Sequence, residues 1–164
     1  MEVKVEELVD YLIRVSEGKL QLVKKLLDLT IQQRDALKAV EDDDIDILNN
    51  LIQGKQETMN KIDILDQEFL GKFIKVKEIL GIENFADLKE EPIAGVKILK
   101  EKIQEIMVVT EEISSVDKEN TMKAQENLDE IKKQLKLVKI GKKTNHGYGK
   151  KFTENTSILI DKKK

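Results

Sequence analysis

The sequence has no cysteine. That absence removes disulfides, thiolate metal sites and thiol nucleophiles together, and it fits a reducing compartment, so a cytoplasmic location is the expectation. Turn formers are nearly as scarce: one proline, Pro92, and eight glycines in 164 residues are too few for the reversals of a β-sandwich or barrel. No apolar run reaches the roughly 18 residues of a membrane span. The opening MEVKVEELVDYLIRV places charge in every turn, unlike a secretory leader, so a soluble, unprocessed chain without membrane insertion is expected.

Charge is what the chain has in abundance, at 37% of residues with a net value of −3. It is unevenly spread. Residues 139–164 hold eight lysines against Glu154 and Asp161, a balance of +6, which leaves −9 on residues 1–138. A nucleic-acid clamp would spread positive charge over a folded face, so an acidic body with a basic end argues against nucleic acid as a partner.

Apolar residues recur every seven positions from Val3 to about Val40. Leu8, Val15, Leu22, Leu29 and Ala36 form one row; Leu12, Leu26 and Val40 form another, interrupted by Lys19 and Gln33. On a helix these rows make one stripe, and Leu20, Val23, Leu27 and Leu37 widen it beyond a two-stranded seam. The acidic cluster Glu41-Asp42-Asp43-Asp44 then suits the start of a second helix, since carboxylates accept from free amides and oppose the helix dipole favourably. Ile45, Ile52, Met59, Phe73 and Leu80 share one row of that helix and Leu48, Ile62, Phe69 and Val76 the other, with Lys55 and Asp66 as polar exceptions.

Gly81 stands where helices commonly end in a left-handed residue, and residues 84–92 bring turn formers and the proline. Ile82, Phe85 and Leu88 are apolar enough to fold back as a plug. A third helix follows, with Val96, Ile103, Ala124, Ile131 and Val138 in one row and Leu99, Ile106 and Ile113 in the other until Asn120 and Asn127. The pattern predicts an all-α fold: an elongated antiparallel three-helix bundle over 1–140, with helices at about 3–40, 44–80 and 93–140, and a flexible basic tail over 141–164. Helices of this length measure on the order of 55–70 Å at about 1.5 Å per residue. Short connections predict antiparallel neighbours, although the same heptads also fit a homodimer.

Catalytic equipment is thin. His146, the single histidine, lies in the expected tail, where nothing would position it for proton transfer. Gly141-Lys142-Lys143-Thr144 lacks the first glycine and the preceding strand of a phosphate loop. Asp42, Asp44 and Asp46 have the alternate spacing of a calcium loop, but Ile47 stands where its glycine is needed and Gln53 where its closing glutamate is needed. No enzyme activity, cofactor or metal is therefore expected. Asn120 and Asn127 carry two readings side by side. They can fix register by hydrogen bonding across a seam, or they can weaken packing so that Leu128, Ile131, Leu135 and Val138 exchange bundle contacts for a partner's helix.

The long first helix, DIDILNNLIQGKQETMNKIDIL opening the second, QENLDEIKKQL in the third and Tyr148-Gly149 before a polar end in ILIDKKK together resemble the FlgN family of flagellar export chaperones. The resemblance covers nearly the whole chain and is one of pattern. It implies a cytosolic chaperone that binds flagellar hook-associated proteins, the components of the hook-filament junction, and prevents their premature assembly before type III export. It implies a client site in the C-terminal part, placed here at Asn120, Asn127, Leu128, Ile131, Leu135 and Val138, and docking on the cytoplasmic domain of the export gate through Tyr148 and Gly149. The residues alone keep an alternative open, a coiled-coil adaptor or structural protein that self-associates.

Overall fold

The computed structural model describes residues 4–39 and 44–144, without the side chains of residues 44 and 142–144. Among the described residues the fold is all-α: α1 (Val5–Lys38), α2 (Asp44–Leu80) and α3 (Val96–Thr144), with one 3₁₀ turn (Phe85–Asp87) between the last two. The chain forms two compact units, Met1–Asn120 and Thr121–Lys164. The first contains α1, α2, the turn and the first half of α3; the second contains the rest of α3.

In the first unit the stripes close on one another as two hydrophobic clusters. One gathers Leu8, Val9 and Leu12 of α1, Phe73 and Val76 of α2, Leu88 of the connection, and Val96 and Leu99 of α3. The other gathers Leu20, Val23 and Leu26 with Ile62, Ile106 and Ile113. Each fully buried aliphatic side chain contributes about 1.5–3 kcal/mol. Pairs across the helices fix the directions: Lys19 meets Asp66 and Gln33 meets Lys55, so α1 and α2 run antiparallel, while Gly95 lies beside Val9 and Ile13 and Asn120 meets Thr30, so α3 runs parallel to α1.

The heptad row of α2 does not stay buried. Exposure falls along it from Ile45 (59%) through Ile52 (51%) and Met59 (37%) to Phe73 (8%). A straight helix advances 3.6 residues per turn, so a strict seven-residue row drifts by about 20° per heptad. The row therefore begins on the solvent flank and enters the core only near Phe73, while Leu51, Thr58 and Ile62 take the inward positions earlier.

The connection is built by local hydrogen bonds. Gly81, at φ +65°, ends α2, and the Ile82 amide donates to the Lys77 carbonyl at 3.2 Å, the six-residue closure of a left-handed helix end. The Asn84 amide donates to Asp87 Oδ2 at 3.2 Å and shapes the 3₁₀ turn. Leu88 is thereby driven fully into the core, with Ile82 and Phe85 packed beside it and the Phe85 ring 5.7 Å from that of Phe73.

The first residue of α3 is Val96, three beyond Ile93, because Gly95 adopts φ +90° and its carbonyl accepts from the Leu99 amide at 2.9 Å. Helix then continues past Ile140 through Gly141 to Thr144. A glycine inside a helix costs about 1 kcal/mol relative to alanine, too little to stop one.

Two glycines give opposite expectations. A Cβ on Gly95 would lie 3.1 Å from Ile13 Cδ1 and 3.2 Å from Val9 Cγ1, at a φ that disfavours side chains, so Gly95→Ala should destabilise by about 1–3 kcal/mol. Gly71 lies within α2 with nothing within 4 Å of an added Cβ, so Gly71→Ala should stabilise by up to about 1 kcal/mol. Urea midpoints of the two variants check both signs.

Candidate functional site

Helices with apolar stripes and polar exceptions raise one question of the exceptions, namely what they do once buried. In residues 1–120 they find each other. Lys19 Nζ of α1 pairs with Asp66 Oδ1 of α2 at 2.6 Å. Lys55 of α2, its side chain only 13% exposed, donates to Gln33 Oε1 of α1 at 3.0 Å and to Asp117 Oδ1 of α3 at 2.8 Å. Asn120 Nδ2 donates to the Thr30 carbonyl at 3.1 Å and reaches Gln33 Oε1 at 3.5 Å. One connected set of polar groups thus ties all three helices together at a single level.

Asn120 is 4% exposed and hydrogen-bonded across the seam to α1, an arrangement that suits the register reading. Its Oδ1 has no hydrogen-bond partner among the described residues. The buried hydroxyls of Thr30 and Thr58 are satisfied within their own helices, donating to the carbonyls of Leu26 and Gly54 four residues earlier.

Beyond Asn120 the other candidate residues lie on α3 in the second unit. Asn127 and Leu135 are half-buried, whereas Leu128, Ile131 and Val138 are exposed. Spacings of three and four place Leu128, Ile131, Leu135 and Val138 on one face of the helix. No α3 residue past Ile113 belongs to either hydrophobic cluster. Local pairs, Gln125 to Asp129 at 3.0 Å and Lys123 to Glu126 at 3.8 Å, support the helix on its polar sides. His146, Tyr148 and Gly149 lie outside the described residues.

A second feature was not foreseen from the sequence. A cleft of about 450 Å³ opens among the three helices of the first unit, lined by Val15, Ser16, Phe69, Ile103 and Ile106, with Lys19, Asp66, Met107 and Glu111 also on its wall. Lys19 and Asp66 were visible as interruptions of apolar rows, but neither Met107 nor Glu111 breaks a pattern. Among the described residues no group of three or more His, Cys, Asp or Glu side chains is arranged to hold a metal ion. What this arrangement offers is apolar surface between packed helices.

Comparison with known proteins places this architecture. The model of the protein family described as "FlgN protein" matches residues 1–156. No curated protein and no solved structure matches the chain.

The polar set makes an ordered prediction. Asp117→Ala leaves the Lys55 ammonium largely buried beside a single amide oxygen and should cost about 1–3 kcal/mol. Lys55→Met leaves a half-exposed carboxylate that water can reach and adds apolar surface, so its cost should be smaller. Denaturant titration of both variants reads the order directly.

Proposed function

The chain belongs to the FlgN protein family, and from that premise we propose that it is a cytoplasmic export chaperone for flagellar hook-associated proteins. It holds a client through the face of α3 that carries Asn127, Leu128, Ile131, Leu135 and Val138, prevents premature assembly, and delivers the client to the type III export gate. The observation that carries this reading is the apolar stripe at 128–138, exposed at Leu128, Ile131 and Val138, on a helix that continues to Thr144.

The physics of such a site is helix-in-groove recognition. A client segment destined for coiled contacts in the assembled filament exposes its own apolar stripe in the cytoplasm, and covering it with another stripe removes both from water. Binding of this kind requires no active site. The face is mixed, with Asn127 beside aliphatic residues, so affinity stays moderate and the client can be released at the gate. Docking there is assigned to Tyr148 and Gly149 on the family resemblance, a tyrosine side chain combining an apolar ring with a polar tip. No described helix is long and apolar enough to cross a membrane.

The test is co-purification with the hook-filament junction proteins of the same source. Truncation after Gln125 should abolish binding. The double variant Leu128→Asp with Ile131→Asp should weaken it by more than about thirtyfold, because each apolar contact at the centre of such an interface is worth about 1–3 kcal/mol. Circular dichroism should show the helices of 1–120 intact. Undiminished binding by the double variant would remove the stripe from the client site, and a full chain whose mass rises with concentration but which binds neither client would favour the self-associating adaptor.

A further inference from the structure

The solvent faces of α1 and α2 differ in kind. Of the twelve exposed side chains of α1 ten are charged, and none is a large hydrophobic. Of the fourteen exposed over residues 45–64 of α2 only four are charged; the rest are aliphatic residues, a methionine and amides. In a chain that is 37% charged, a solvated helix face resembles α1. Depletion of charge combined with exposed aliphatic groups marks protein contact surfaces.

This face leads into the cleft. Ile45, Ile52, Met59 and Asp66 are successive members of one seven-residue row that rotates toward the core, and Asp66 is on the cleft wall. Across the cleft Met107, 51% exposed, offers a flexible thioether that adapts to a partner's shape. The charges there are not balanced. Lys19 and Asp66 satisfy one another at 2.6 Å, whereas Glu111 makes no hydrogen bond or ion pair among the described residues. A partner in this cleft would bury an uncompensated carboxylate unless it brought a cation.

We infer that the α2 face and the cleft among the three helices form a second docking site for the client, occupied by an amphipathic helix that seats one large apolar side chain in the cleft and a lysine or arginine against Glu111. The assignment rests on the chaperone reading and extends it to residues 1–120. From Ile45 to Asp66 the face runs about 30 Å, the length of a helix of some 20 residues. A cleft of about 450 Å³ accommodates an aromatic or a long aliphatic anchor. A second copy of the chain is a poorer occupant, because the same face presents Asp46, Glu57 and Asp63 against Lys61 alone, a net negative surface set against Glu111.

The experiment uses the full chain with a photo-crosslinking phenylalanine analogue in place of Met107 in one variant and of Leu135 in another, mixed with the purified junction proteins. Both positions should crosslink to client. Glu111→Lys should weaken client binding about three- to tenfold and Glu111→Gln less, while Lys25→Glu on α1 leaves it unchanged. A Met107 crosslink to a second copy or to the chain's own residues 145–164 would overturn the inference. So would client crosslinked at Leu135 alone, an outcome that leaves the chaperone reading standing. Crosslinks at neither position, with no client bound by the unmodified chain, would defeat both.

Discussion

Three helices with heptad stripes can slide past one another by a whole heptad and still bury leucine against leucine. In residues 1–120 the constraint that forbids this is the polar set of Gln33, Lys55, Asp117 and Asn120. A shift of seven residues would leave the Lys55 ammonium among aliphatic groups and take the Asn120 amide away from Gln33 Oε1, at several kcal/mol for the ion alone. Hydrophobic burial supplies most of the stability and is indifferent to register. The polar set supplies the choice, and the unpaired Oδ1 of Asn120 is its visible cost.

That choice bears on function through placement. Once register is set, Leu88 closes one end of the core, Gly95 lets α3 approach Val9 and Ile13, and the α3 residues on the far side of Asn120 take no part in either hydrophobic cluster. A chaperone needs apolar surface that does not collapse onto its own core. Long helices provide it cheaply in structural terms, because their backbone hydrogen bonds are satisfied internally wherever their side chains point. Local pairs such as Gln125 with Asp129 then help keep the helix formed where its apolar face joins neither cluster.

Much of this was readable in advance. Gly81 announced the end of α2, and Ile82, Phe85 and Leu88 their inward fold, because each of these is decided within a few residues by backbone conformation or local periodicity. Lys19, Gln33, Lys55, Asp66 and Asn120 were each conspicuous as breaks in an apolar pattern. Who pairs with whom was hidden, since partners 22 to 90 residues apart leave no joint signal in one sequence. The cleft was hidden for the same reason: Met107 and Glu111 look like ordinary surface residues until Phe69 and Val15 are set opposite them.

The sequence by itself determined that this protein is helical and that its helices must bury wide stripes against each other, for these follow from composition and short-range spacing. Only the tertiary structure decided which part of each stripe is buried. Ile45, Ile52 and Met59 belong to the same row as Phe73, yet they stand in solvent because a row of period seven turns steadily around a helix of period 3.6, and the point where it meets a neighbour is set by the neighbour's position.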